Sequence, residues 1–164
     1  MNSIVIYASH YGNTKRIAEA IAGELRSYGT AQLVAAEEAP AVLPAGTELV
    51  VIGGPTEAHR MTPALAAVFD HIKPGALTGV AAAAFDTRLR WPRWLSGSAG
   101  AGVWEKLHHT GARMVAQAES FFVKYEEGAE KSEGPKLEAG ELERAAQWAA
   151  ALAETARSEA AAQR

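Results

Sequence analysis

Six residues, Ser9-His10-Tyr11-Gly12-Asn13-Thr14, carry the pattern in this chain most suited to chemistry. Two hydroxyls, on Ser9 and Thr14, flank a glycine that lets the backbone approach a ligand closely. A short apolar run, Ile4 to Ala8, precedes them. Directly after them Ile17, Ile21, Leu25 and Tyr28 recur at helical spacing between Lys15, Arg16, Glu19, Glu24 and Arg26. The pattern predicts a buried parallel strand, a tight loop and a helix N-terminus. Such a junction attracts anions, because unpaired backbone N–H groups and the positive end of the helix dipole converge there. The same residues also suit an ordinary strand-to-helix turn with a Thr cap, and the loop alone leaves both readings open.

Several common phosphate binders are excluded. The loop lacks the G-x-G-x-x-G of a dinucleotide site. It has one glycine, and Lys15 follows Thr14 instead of preceding it, so it is not a G-x-x-x-x-G-K-[ST] loop. The first strand does not end in the acidic pair that would hold magnesium.

The elements that must position this loop alternate strand and helix. Strands are expected at 3–8, 31–36, 48–53, 80–85 and about 113–118, the last resuming at Phe121-Phe122-Val123. Helices are expected at 14–28, closed by Gly29, then after Thr62-Pro63, near 100–110, and from 140 to 158. Pro40 and Pro44 break the stretch between the second and third strands. Alternation of this kind predicts an α/β three-layer sandwich, a five-stranded parallel sheet in order 2-1-3-4-5 with helices on both faces. Ligands bind beyond the carboxyl ends of such strands, at the switch point of strand order. Residues 9–14, 54–61 and 86–100 are therefore expected to face one crevice. The chain is read as a single domain over residues 1–160.

Composition narrows the function classes. The 164 residues are enough for one real core. A net charge of −3 with 21% charged residues argues against a general nucleic-acid binder. No 18-residue apolar run is present, so no integral membrane segment is expected, and no signal peptide, since the first strand begins almost at Met1. Cysteine is absent, which excludes disulfides, thiolate metal sites and Cys nucleophiles and is compatible with the cytoplasm. His108 and His109 are adjacent on a helix, point about 100° apart and make no metal face. No catalytic Ser/His/Asp arrangement can be assigned.

The loop resembles the flavodoxin phosphate fingerprint [T/S]-x-[T/S]-G-x-T, matching at Ser9, Gly12 and Thr14 and departing at Tyr11, where that family has Ser or Thr. Gly53-Gly54-Pro55-Thr56 ends strand three as in a flavodoxin subgroup whose next loop runs under the flavin ring, and Phe85-Asp86-Thr87-Arg88 stands where the third flavin loop should begin. Gly134-Pro135 and Gly140-Glu141-Leu142-Glu143-Arg144-Ala145 also look like small bacterial flavodoxin-like proteins. The resemblance implies flavin mononucleotide (FMN) as cofactor, with its phosphate held by Ser9, His10, Tyr11, Gly12, Asn13 and Thr14. The ring edge would meet the backbone of Pro55, Thr56, Glu57, Ala58 and His59 and of Asp86, Thr87 and Arg88. Flavodoxins sandwich the ring between aromatics. The second loop offers none beyond His59, so Trp91 or Trp94 is expected to wall the flavin.

Three functions stay open. One is a cytoplasmic electron carrier between a reductase and an acceptor, both protein partners. The second is a flavin-dependent oxidoreductase acting on a quinone or porphyrinogen. The third is a partner-binding module with weak FMN affinity or none. Arg88, Arg90, Arg93, Lys106 and Arg113 make the third region basic, unlike an acidic carrier surface; this reads either as solvated charge or as an anion-facing site.

Overall fold

The computed structural model describes residues 1–57, 60–92, 95, 97–128 and 130–162. Seven strands form one sheet: β1 (Asn2–Tyr7), β2 (Thr30–Ala35), β3 (Leu49–Pro55), β4 (Ala81–Leu89), β5 (Arg113–Met114), β6 (Glu119–Lys124) and β7 (Lys136–Leu137). Four α-helices pack on it among the described residues: α1 (Asn13–Leu25), α2 (Pro63–Asp70), α3 (Ala99–His109) and α4 (Glu141–Ala162).

The order is β2-β1-β3-β4-β6-β7, with β5 also on β4. All pairings are parallel except β6 with β7. The expected 2-1-3-4-5 arrangement is therefore present, with two differences. The fifth position is shared by β5 and β6, which are separated by residues 115–118. In that gap the Trp104 indole donates to Ala116 O at 2.9 Å, so a carbonyl that leaves the ladder keeps a partner. The short β7 then adds an antiparallel edge, making the sheet mixed.

The core follows from central strands, β1, β3 and the first half of β4, whose apolar residues are buried on both faces. Ile4, Ile6, Val50 and Ile52 meet α2 and α3 residues such as Leu65, Phe69, Val103 and Leu107 on one side. Val5, Val51, Phe85 and Phe121 meet Ile17, Ile21, Leu25 and Leu152 from α1 and α4 on the other. Burial on both faces explains the continuous apolar runs. Phe85, Phe121 and Trp148 pack edge-to-face, with centroids 5.9–6.3 Å apart.

Several boundaries differ from the sequence expectation. Helix α1 stops at Leu25 and tightens into a 3-10 turn over Arg26–Tyr28. Thr62 caps α2 as expected, accepting from Leu65 N–H at 3.3 Å, but α2 ends at Asp70, ahead of Pro74-Gly75. The largest difference is β4, which runs to Leu89. Asp86, Thr87 and Arg88 were expected to open a loop because they are polar. They are buried in the strand instead, because each finds a polar partner there. No described helix is long and apolar enough to cross a membrane.

Candidate functional site

Parallel register brings the strand ends together. Tyr7 pairs with Gly53, Gly53 with Phe85, Gly54 with Asp86 and Pro55 with Thr87. The segments that follow β1, β3 and β4 thus emerge side by side, and β6 joins them.

The first segment turns sharply into α1. Gly12 caps that helix at φ 85°, ψ −10°, a left-handed conformation that other residues adopt only with strain. Gly12, having no side chain, gives α1 no N-cap hydrogen bond of its own. Among the described residues, none accepts from the backbone N–H groups of Tyr11, Gly12, Asn13 or Thr14. The next N–H, of Lys15, donates to Ser9 Oγ at 3.3 Å, and that of Arg16 to Gly12 O at 3.1 Å. Thr14 is buried, with its hydroxyl 2.7 Å from that of Thr87. Backbone donors, a helix N-terminus and the Ser9 and Thr14 hydroxyls therefore converge, a donor set suited to a phosphate.

The second segment is braced by its own backbone. Thr56 N–H donates to Thr87 O at 3.0 Å, Glu57 N–H to Arg60 O at 3.0 Å, and Arg60 N–H to Glu57 O at 2.9 Å. These three donors are committed within the protein, so a ligand edge meeting residues 55–57 finds carbonyls. Glu57 also faces His10, with Oε1 3.3 Å from Nδ1. Ala58, His59 and Trp94 lie outside the described residues.

The side chain of Asp86, whose backbone was expected to meet the ligand, is engaged within the protein. Its carboxylate is fully buried; Oδ2 accepts from Thr56 Oγ1 at 3.0 Å, Ser98 Oγ at 2.6 Å and Gly100 N–H at 3.0 Å. Ala99 N–H donates to Thr56 Oγ1 at 2.8 Å. The carboxylate thereby caps the N-terminus of α3 and ties it to the segment after β3. Arg88 lies 3.9 Å from its other oxygen and donates to Ser120 Oγ at 3.0 Å and Trp91 O at 2.7 Å.

A crevice of about 190 Å³ joins these pieces. It is lined by His10, Tyr11, Asn13 and Thr14, by Pro55, Thr56 and Glu57, by Thr87, Arg88 and Leu89, and by Val123, Tyr125 and Pro135. Trp91, expected as a wall, does not line it and is 54% exposed. Among the described residues, the aromatic rings that line the crevice are those of His10, Tyr11 and Tyr125. A larger hollow of about 480 Å³, lined by residues such as Met61, Phe69, Ile72 and Lys106 between α2 and α3, touches none of residues 9–14. Donor chemistry, and not size, selects the smaller one.

Arg93 lies outside the described residues, and among the described ones the cations of the basic third region do not form one surface. Arg88 is buried, Arg90 pairs with Glu138 at 2.7 Å, Arg113 pairs with Glu159, and Lys106 stands over the Phe69 ring. The Arg90 hydrogen bond holds the Glu138 carboxyl below its ordinary range, and Glu138 raises the Arg90 guanidinium. Arg144 is likewise raised, held by Glu141 and Glu119 against its own burial.

Val123, Tyr125, Pro135 and Ser98 were not expected at the site from the sequence. The rule that ligands meet the carboxyl ends of parallel strands applies to the fifth strand too. Applied there, it would have pointed to Tyr125.

Residues 4–75 match the family model described as a flavodoxin domain. A comparison with curated proteins finds no match. Among solved structures the chain resembles oxidised flavodoxin 1 from Bacillus cereus, at 22% identity and TM-score 0.76, covering 94% of this chain and 98% of that one. It resembles a flavodoxin from the domain Archaea at 19% identity and TM-score 0.72, over 96% and 99% of the two chains. It also resembles the rubredoxin oxygen:oxidoreductase of Desulfovibrio gigas at 19% identity and TM-score 0.72, over 98% of this chain but 37% of that larger one.

Proposed function

Since the chain is flavodoxin-like, in its fold and in the sequence of residues 4–75, we propose that it is an FMN-binding redox protein that carries electrons between protein partners. The observation that carries the reading is the uncapped N-terminus of α1, where unaccepted backbone N–H groups meet the Ser9 and Thr14 hydroxyls. A phosphate dianion suits that donor set without an arginine. The residues present therefore fit the group.

Bound FMN supplies one- and two-electron redox chemistry at its ring. The protein's part is to hold and orient it. Ser9, Gly12, Asn13 and Thr14 grip the phosphate. Thr56, Glu57, Thr87 and Arg88 border the remainder, with Pro55, His10 and Tyr11 on the near wall. Tyr125, not Trp91, is the aromatic on the β6 side. The oxidoreductase reading predicts direct turnover, and the carrier reading does not.

The test is the purified protein's visible spectrum, followed by titration with FMN and with riboflavin. The proposal expects a yellow protein, tight FMN binding and much weaker riboflavin binding. Steady NAD(P)H oxidation with a quinone, in the absence of any reductase, would move the assignment to an oxidoreductase. A colourless protein that FMN fails to saturate would leave a partner-binding module.

A further inference from the structure

The loop at 9–14 is gripped from outside by a segment far along the chain. Asn13 Nδ2 donates to Pro135 O at 2.6 Å, across 122 positions of sequence. Beside it the Tyr11 ring packs against Gly134. A Cβ built on Gly134 would stand 2.3–2.7 Å from three ring carbons, and the residue sits at φ 69°. Gly134 is buried while Tyr11 is half exposed, so the ring covers the glycine. Tyr125 and Pro135, near the two ends of this β6–β7 connection, line the crevice together with Tyr11 and Asn13.

These contacts matter because α1 has no cap of its own. Its terminal N–H groups converge on one point only if the loop keeps its shape. Local hydrogen bonding supplies little of that shape, so tertiary contacts must. On one flank His10 faces Glu57, a solvent-exposed pair worth little. On the other flank stand the buried glycine and the Asn13 tie.

We propose that Gly134-Pro135 is a positioning element for the phosphate site, with Tyr11 as its anchor. This rests on the reading that residues 9–14 hold the FMN phosphate. The segment fixes the loop with its donors already aimed, so the affinity that the phosphate adds depends on it. Tyr11 then has a reason to stand where flavodoxins carry a hydroxyl residue. Its ring replaces a ligand contact with a packing contact, and only a residue without a Cβ can receive it.

The experiment compares FMN with riboflavin in the wild type, Gly134→Ala, Asn13→Ala, Tyr11→Ser and the Tyr11→Ser/Gly134→Ala double variant, each checked by thermal melting. Gly134→Ala is expected to lose roughly tenfold in FMN affinity, since the added methyl and the left-handed backbone both push the segment away. Riboflavin affinity should change by no more than about twofold. Asn13→Ala, which keeps its backbone N–H, should lower the same ratio. The double variant should recover FMN affinity relative to Gly134→Ala, because the ring that collides is gone. A Gly134→Ala protein with an unchanged FMN-to-riboflavin ratio overturns the proposal. A double variant no better than Gly134→Ala overturns the role of Tyr11. A wild type that binds both ligands equally overturns instead the phosphate reading beneath it.

Discussion

Thr14 and Thr87 are 73 positions apart, yet their hydroxyl oxygens share a buried hydrogen bond of 2.7 Å. The bond joins the first turn of α1 to the middle of the extended β4. A hydroxyl has one proton and two lone pairs. If Thr87 donates, Thr14 keeps its own proton for a third partner at the loop. The pair is thus a structural tie and a means of aiming a donor.

Thr87→Val should therefore cost more than its own bond. It leaves Thr14 buried with one partner fewer, a loss of about 1–3 kcal/mol in stability. Thr14→Val should show a similar loss, and in addition weaken FMN by about 1.5–3 kcal/mol through a missing donor to a dianion. Chemical denaturation and equilibrium FMN titration measure the two effects separately. Equal FMN affinity in wild type and Thr14→Val would remove this hydroxyl from the site.

Gly12 should tolerate Asn better than Val. Its φ of 85° is a backbone state that Asn visits and a β-branched residue resists. A Cβ there meets no protein atom within 4 Å, so the penalty at that atom is conformational, about 1–2 kcal/mol for Val. FMN affinity should fall in the order Gly12, Asn, Val. The assignment of the loop fails if titration finds Gly12→Val binding FMN as the wild type does.

Asp86→Ala should be the most destabilising of these changes. Three donors converge on one buried oxygen, and Arg88 stands 3.9 Å from the other. Removal leaves the donors unsatisfied and a buried cation uncompensated, a loss of about 3–5 kcal/mol. Urea unfolding monitored by the tryptophans reads it. A loss below about 1 kcal/mol would mean that the network is dispensable.

Glu138 carries an acid-sensitive contribution. The Arg90 hydrogen bond lowers its carboxyl from an ordinary 4.5. A lowered folded value means that the pair stabilises the fold fully above pH 4.5 and loses that contribution as pH falls through the lowered value. Glu138→Gln should therefore melt below the wild type at neutral pH, and the two should converge in acid. Parallel melting curves across the whole range would contradict it.

The strand order and the strand–loop–helix junction at residues 9–14 were legible because each rests on local pattern. Ile4 to Ala8 followed by the Ile17, Ile21, Leu25 stripe reads as strand and helix without tertiary knowledge. The end of β4 was not legible. Asp86 and Thr87 look like loop residues until Thr56, Ser98, Gly100 and Thr14 are placed around them, and those lie in three other segments. The place of Trp91 was not legible for a related reason. Extending β4 to Leu89 moves Trp91 outward along the chain and leaves the crevice to Tyr125. Tyr11 looked like a defect in a pattern because its counterpart, Gly134, carries no side chain to signal the contact.

The reach from Asn13 to Pro135 has a consequence for how the protein is made. A chain that is synthesised and folds from its N-terminus presents residues 9–14 first, and Pro135 follows on the order of ten seconds later. In that interval β1, α1, β2 and β3 can assemble, but the outer side of the loop stays open. On the proposed reading, cofactor capture is then a late step of biogenesis, tied to completion of the sheet edge. A ribosome-stalled chain ending at Ala118 should fail to retain FMN, whereas one extended past α4 should acquire it.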